Sequence, residues 1–314
     1  MSNTVQLAHP VPPPPLARSS APWLDRAAYP FAQRSLRLSA GQVHYLDEGN
    51  AGDGKEPIVF VHGTPSWSFE YRHLIGALRR SRRCIAFDHL GFGLSERPAA
   101  FGYRPEDHAR VFAEFVAALG LQRFTLVVHD FGGPIALPFA AAHPERILRL
   151  VVMNSFMWPI EDPKLAQQAR LAGSVLGRLL YRYLNFSLRI LMPLAYGDKR
   201  RLTPRVHAQY LAPFRSGAAR ERVLWALARS LLGSHTHYAA LWAARERLAA
   251  IPSLVLWGTR DRLFPAEFLE RWRQALPTAR VETLSDAGHW PHEECPRLVL
   301  EAIERFLTTR DAEG

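Results

Sequence analysis

The sequence predicts a mostly parallel α/β sheet flanked by helices, interrupted once by an inserted helical cap. Three observations carry that expectation. Short apolar runs (PIVFVHG at 57–63, RRCIAFD at 82–88, FTLVVHD at 124–130, ILRLVVMN at 147–154) alternate with helical stretches, the pattern of buried parallel strands joined by helical crossovers. From about 155 to 245 the alternation stops: leucine, arginine and aromatic residues recur at helical spacing and no convincing buried strand occurs. It resumes with IPSLVLWG at 251–258 and ARVETLS at 279–285.

Each element follows in order. Residues 1–33, with VPPPP at 11–15, read as a tail or strap, because proline removes a backbone donor and restricts its neighbour. Segments 34–39 and 42–47 form an antiparallel pair, and a helix is expected over 68–79. A glycine-punctuated loop, DHLGFGLSERP, precedes a helix at about 105–119 whose apolar positions include Val111, Phe112, Phe115, Val116 and Leu119. Helices at 265–275 and about 296–308 close the chain. The expected division is therefore a tail at 1–33, a first core part at 34–154, a cap at 155–245 and a second core part at 246–314.

Composition excludes several classes. The 314 residues are 48% hydrophobic and 22% charged, an ordinary enzyme-like balance. The net charge of +10 is almost all arginine, the lysines being Lys55, Lys164 and Lys199. Clusters such as RRSRR at 79–83 and DKRR at 198–201 lack interleaved aromatics, so they are read as solvated faces and no nucleic-acid partner is expected. No apolar 18-mer suggests a membrane span, and no secretory signal pattern opens the chain. Cys84 and Cys295, far apart, make neither a disulfide framework nor a metal knuckle, which points to a reducing, cytoplasmic setting. No cofactor and no metal are expected, and the chain is read as a monomer or homodimer.

The informative stretch is VVHDFGG. Asp130 ends an apolar strand, and Gly132 and Gly133 follow it, so the carboxylate is thrust above the sheet at a sharp strand-to-helix turn. The helix N-terminus behind it favours negative charge. Alone, this aspartate could equally be a helix cap. Two further motifs decide between the readings. WGTRD sets Asp261 just past a later strand, and SDAGHWPHEE sets His289 in a glycine-marked loop after the next. Nucleophile, acid and histidine in that order, each at the carboxyl end of a strand, is a recurrent hydrolytic arrangement. His62, His129 and His292 are read as loop braces, since their spacing suggests no metal site.

With these residues, the sequence resembles the haloalkane dehalogenase and epoxide hydrolase branch of the α/β-hydrolase superfamily, over about 34 to 308. HGTPSWSFEYRHLI at 62–75 and FDHLGFGLSERP at 87–98 look especially like dehalogenases; VVHDFGG, WGTRD and DAGHWPHEE fit both groups. The resemblance implies that Asp130 attacks a saturated carbon, that water activated by His289 hydrolyses the resulting ester, and that Asp261 orients the imidazole. It implies an oxyanion hole from the backbone N–H groups of Thr64 and Phe131. An aspartate nucleophile argues against esterase chemistry, because attack on a carbonyl would yield an anhydride.

The chain departs from the dehalogenase pattern at the leaving-group site. Phe131 stands where a tryptophan usually follows the nucleophile, and Thr64 where asparagine or glutamate commonly follows HG. Phenylalanine donates no hydrogen bond. Trp158 or Trp225 of the insertion, or Trp67, are candidate substitutes. Haloacetate chemistry would require arginine at position 131. Epoxide opening would use tyrosines of the insertion, of which Tyr181, Tyr183 and Tyr238 are the foremost candidates and Tyr196 and Tyr210 the remainder. The expected activity is hydrolysis of a small apolar haloalkane. Epoxide hydrolysis, β-lactone decarboxylation and a non-catalytic small-molecule binding module are the alternatives.

Overall fold

The structure, a computed structural model, describes residues 21–50 and 55–308. Eight strands form one sheet: β1 (Gln33–Leu38), β2 (Gly41–Glu48), β3 (Ile58–Val61), β4 (Cys84–Phe87), β5 (Phe124–Asp130), β6 (Ile147–Ser155), β7 (Ser253–Gly258) and β8 (Arg280–Leu284). Their spatial order is β1-β2-β4-β3-β5-β6-β7-β8. β2 runs antiparallel to both β1 and β4, and every other pairing is parallel. The chain lays down β3, crosses to β4 on one side and then to β5 on the other. That reversal opens a crevice above the carboxyl ends of β3 and β5, the place where open α/β sheets bind ligands.

The predominantly apolar strands β3, β4, β5 and β7 are buried along their whole length, as strands sandwiched between helical layers must be. The helix Pro105–Ala118 turns Val111, Phe112, Phe115 and Val116 into this core. The stretch expected as one helix at 68–79 divides into a 3-10 turn, Ser68–Tyr71, and an α-helix, Arg72–Leu78. All four residues of the turn are buried, so packing dictates its tighter winding.

Between β6 and β7 the chain is helical from Pro163 to Ala249, with no strand among these residues. The helical run thus begins later and ends later than the expected 155–245. β6 continues through Ser155, and buried Phe156, Met157 and Trp158 carry the chain off the sheet in an irregular segment. Three single-turn π-helical segments (Leu180–Leu184, Ser187–Leu191, Arg220–Trp225) shape this layer, and left-handed Asn185 separates the first two.

The insertion is tied down where it meets the body. Glu293 accepts hydrogen bonds from Arg72 of the body and from the Tyr210 hydroxyl of the insertion. The His289 N–H donates to the Ala195 carbonyl at 2.9 Å. Residues 21–31 also bridge the two layers: Trp23 packs edge-on against Trp67, Gln209 exchanges hydrogen bonds with Asp25 and Trp23, and Tyr29 is buried. The VPPPP run lies outside the described residues.

Candidate active site

Asp130 closes β5 with φ of +49°, and Phe131 opens the helix Gly132–Ala142 directly behind it. A non-glycine residue in the left-handed region is uncommon and is held there by its surroundings. The next two positions must be glycine. A Cβ on Gly132 would sit 2.2 Å from the Val61 carbonyl oxygen, and one on Gly133 would sit 2.2 Å from Ser155 Oγ. Ser155 in turn donates to the Asp130 carbonyl at 2.6 Å, pinning the turn from β6.

The Asp130 carboxylate is buried but not enclosed in protein. Its Oδ2 accepts the Thr64 N–H at 2.7 Å, and its Oδ1 lies 3.6 Å from His289 Nε2. His289 Nδ1 is 2.8 Å from Asp261 Oδ2. The residues singled out at the ends of β5, β7 and β8 therefore meet in one chain of contacts. Phe131, the second expected oxyanion donor, follows Asp130 at the helix N-terminus.

Asp261 is immobilised by donors that sequence reading did not identify. Asn154 Nδ2 donates to its Oδ2 at 2.7 Å, while the N–H groups of Leu263 and Phe264 reach its Oδ1 at 2.7 and 3.1 Å. Asn154 also accepts the Gly258 N–H at 2.8 Å, which fixes its amide orientation. A signal was present: a polar residue ending the apolar run ILRLVVM, at the same level of the sheet as Asp130.

His289 is fully buried. Burial alone would lower its pKa, but the charge of Asp261, the hydrogen bonds of Asp130 and Asp261 and the charge of Asp130 outweigh it, pushing the imidazole up to about 10.

The other histidines support loops. His129 Nε2 donates to the His289 carbonyl at 2.8 Å. His62 donates to the Gly63 carbonyl and accepts the His89 N–H, bracing the turn that presents Thr64. Beneath them, the Glu70 carboxylate lies 3.3 Å from His129 Nδ1 and 3.7 Å from His292 Nε2, all three side chains fully buried. Their donor atoms fall within 4.8 Å of one another, close enough to ligate a cation. Burial would raise the Glu70 carboxyl, but the adjacent His129 and His292 hold it well below its ordinary range.

Above Asp130 lies a cavity of about 450 Å³ between body and insertion, with walls that are mainly apolar. Thr64, Asp130 and Phe131 border it from below, and Leu165, Leu180, Met192 and Leu224 of the insertion border it from above. Tyr181 reaches its wall, and the Asp130 charge adds to burial in raising that phenol, which therefore stays a neutral donor.

Four of the expected leaving-group contacts require correction. Trp158 is buried against Trp242, Phe268 and Trp272, away from the cavity wall. Trp225 packs under the guanidinium groups of Arg178 and Arg229. Tyr183 is 67% exposed on the outer surface, and Tyr238 spends its hydroxyl on the Ser230 carbonyl. Trp158 lies in the irregular segment before the first inserted helix, and for the other three helical periodicity specified helices but not which face meets the body. Trp67 likewise donates to the Gln209 carbonyl at the base of the layer interface. Trp290 does border the cavity, yet its ring stacks on Tyr196 and its Nε1 is buried.

The strand order, the elbow and the contact chain Asp130–His289–Asp261 describe a hydrolase of the α/β class, and comparison with known proteins agrees. Residues 56–296 match the alpha/beta hydrolase fold family, to which this chain belongs. Haloalkane dehalogenase 2 of Mycobacterium tuberculosis is 37% identical over 287 residues, covering 90% of this chain and 97% of the relative. A cis-3-alkyl-4-alkyloxetan-2-one decarboxylase of Shewanella oneidensis is 35% identical over 289 residues, covering 89% of each. In fold, the haloalkane dehalogenase DbeA from Bradyrhizobium elkani matches with a TM-score of 0.80 at 23% identity, covering 88% of this chain and 97% of that one. Within the family, the chain is a haloalkane dehalogenase-like enzyme.

Proposed function

We propose that this enzyme hydrolyses the carbon–halogen bond of apolar haloalkanes through an ester on Asp130, releasing alcohol and halide. The observation that carries the reading is a strand-end carboxylate opening onto an apolar cavity, with His289 Nε2 3.6 Å away. A carboxylate oxygen of Asp130 attacks the halogen-bearing carbon, and the electron pair of the breaking bond leaves with the halide. Esterification removes the Asp130 charge. His289 loses one of the two carboxylates that raise its pKa, so the imidazole gives up its proton to solvent and can act as a base. It then takes a proton from water, and hydroxide adds to the ester carbonyl. The Thr64 and Phe131 N–H groups stabilise the oxyanion, which collapses by breaking its bond to the alkyl oxygen; His289 returns its proton to that oxygen, and the alcohol and the Asp130 carboxyl are freed. In this reading the inserted helices act as the lid that excludes water, and the two free cysteines suit a reducing cytoplasm.

A second reading draws on a specific feature. Phe131 supplies no N–H beside Asp130, and Trp290, the indole that borders the cavity among the described residues, has its Nε1 buried. A strained β-lactone needs no halide cradle. Asp130 would attack the ring carbon bearing oxygen, giving an ester and a free carboxylate. Loss of carbon dioxide would then form the alkene and expel Asp130. A relative named for oxetanone decarboxylation stands at 35% identity. Epoxide opening is less favoured, because among the described residues the cavity wall carries Tyr181 without a second tyrosine.

The test is a parallel assay of bromoalkanes, chloroalkanes, styrene oxide and a cis-3,4-dialkyloxetan-2-one, following halide, diol and alkene. Halide release, faster from bromide than from chloride, is expected. Alkene formation without halide release would replace the first reading with the second, and diol alone would favour epoxide hydrolysis. Phe131→Trp should raise chloride release about tenfold, the effect of adding about 1.4 kcal/mol of hydrogen bonding to a departing anion.

A further inference from the structure

Nine large apolar residues stand conspicuously exposed among the described residues, and eight of them fall between positions 171 and 194. Leu171, Val175, Leu176, Leu179, Leu184 and Ile190 are 45–73% exposed, and Tyr183 and Leu194 complete the set. Scattered exposed leucines need no explanation, but a concentration on one short stretch of the insertion does. The same stretch, residues 163–195, carries Lys164, Arg170, Arg178, Arg182 and Arg189 and no aspartate or glutamate. One acid from elsewhere, Glu221, pairs with Arg178 and Arg182.

Two of the exposed residues, Leu171 and Leu194, also line the cavity above Asp130. The apolar surface and the apolar cavity are thus continuous.

We propose that the outer face of the inserted helices, residues 171–194, docks on an anionic lipid surface, so that apolar substrate passes from the lipid into the cavity without crossing water. Short helices bearing exposed leucines beside arginines are suited to the headgroup boundary: the apolar side chains enter the acyl layer and the guanidinium groups meet lipid phosphates. Charge complementarity selects a lipid surface over a second copy of this chain, because two copies of this face would bring arginine against arginine. Docking rests on the surface and not on the chemistry proposed for Asp130, so vesicle binding can succeed or fail independently of turnover.

The experiment is flotation of the full chain with vesicles of phosphatidylcholine containing 30% phosphatidylglycerol, compared with pure phosphatidylcholine, at low and high salt, together with sedimentation without lipid. Val175→Ser, Leu176→Ser and Leu179→Ser, combined in one variant, alter the surface at positions that do not border the cavity. The expected result is vesicle binding that requires phosphatidylglycerol, weakens at high salt and falls at least tenfold in the variant, whose turnover of a short water-soluble substrate stays at wild-type level. No flotation with either vesicle, or equal flotation of the variant, would overturn the proposal. So would a wild-type dimer that becomes a monomer in the variant without lipid binding, which would assign the face to a second copy.

Discussion

Asn154 and Asp261 are joined by a 2.7 Å hydrogen bond from Nδ2 to Oδ2, made by an asparagine that itself sits at φ +32° at the end of β6. The bond faces the same oxygen that His289 contacts, so Asn154 sets the direction in which Asp261 holds the imidazole. Asn154→Ala should cut turnover about ten- to a hundredfold, the equivalent of about 1–3 kcal/mol for leaving a buried acceptor without its partner. Thermal unfolding should shift only modestly. Steady-state rates beside a melting curve check this; a lost fold with no rate effect in the surviving protein would refute it.

The state of His289 gives a pH prediction with a definite sign. Its folded pKa, near 10, lies above its ordinary value of 6.5. The stability it contributes is therefore fully present below pH 6.5 and is lost as pH rises through about 10. Asp130→Asn removes one of the two carboxylates, so the His289 pKa should fall and the alkaline loss of stability should begin at lower pH. Imidazole titration by NMR in the two proteins reads this directly. An unchanged His289 pKa would mean that Asp130 does not hold the proton there.

His289→Ala should stall the proposed reaction after the first step. Substrate carbon would then remain on Asp130, visible as an intact-protein mass increase of one alkyl group after single turnover. Normal turnover with no adduct would exclude the ester mechanism.

The tyrosines separate a cavity role from a surface one. Tyr181 borders the cavity, whereas Tyr183, two residues later, is on the outside. Tyr181→Phe should lower kcat several-fold with little change in melting temperature, while Tyr183→Phe should leave turnover of a soluble substrate unaltered. Equal effects from both would count against a phenol acting in the cavity.

The buried strands and the elbow were legible from local pattern because both are local demands. A fully buried parallel strand must be apolar along its length, and VVHDFGG can close on itself only with glycines where a Cβ would strike Val61 and Ser155. Asp130, Asp261 and His289 were legible because each closes such a strand or the loop after it. Asn154 was passed over since a single polar residue ending a strand has many uses, and only the packing of β6 beside β7 brings its amide to Asp261. The aromatics of the insertion show the same boundary from the other side. Their sequence specified helices, but single π-helical turns and the left-handed Asn185 rotate the faces away from a regular 3.6-residue count. Contact with the body then turned Tyr181 into the cavity and left Tyr183 at the surface. By itself the sequence determined which residues end the strands and which segments are helical, because backbone hydrogen bonding and burial act over a few neighbours. The tertiary structure alone decided which side chains converge above Asp130, because that depends on how two layers distant in sequence pack against each other.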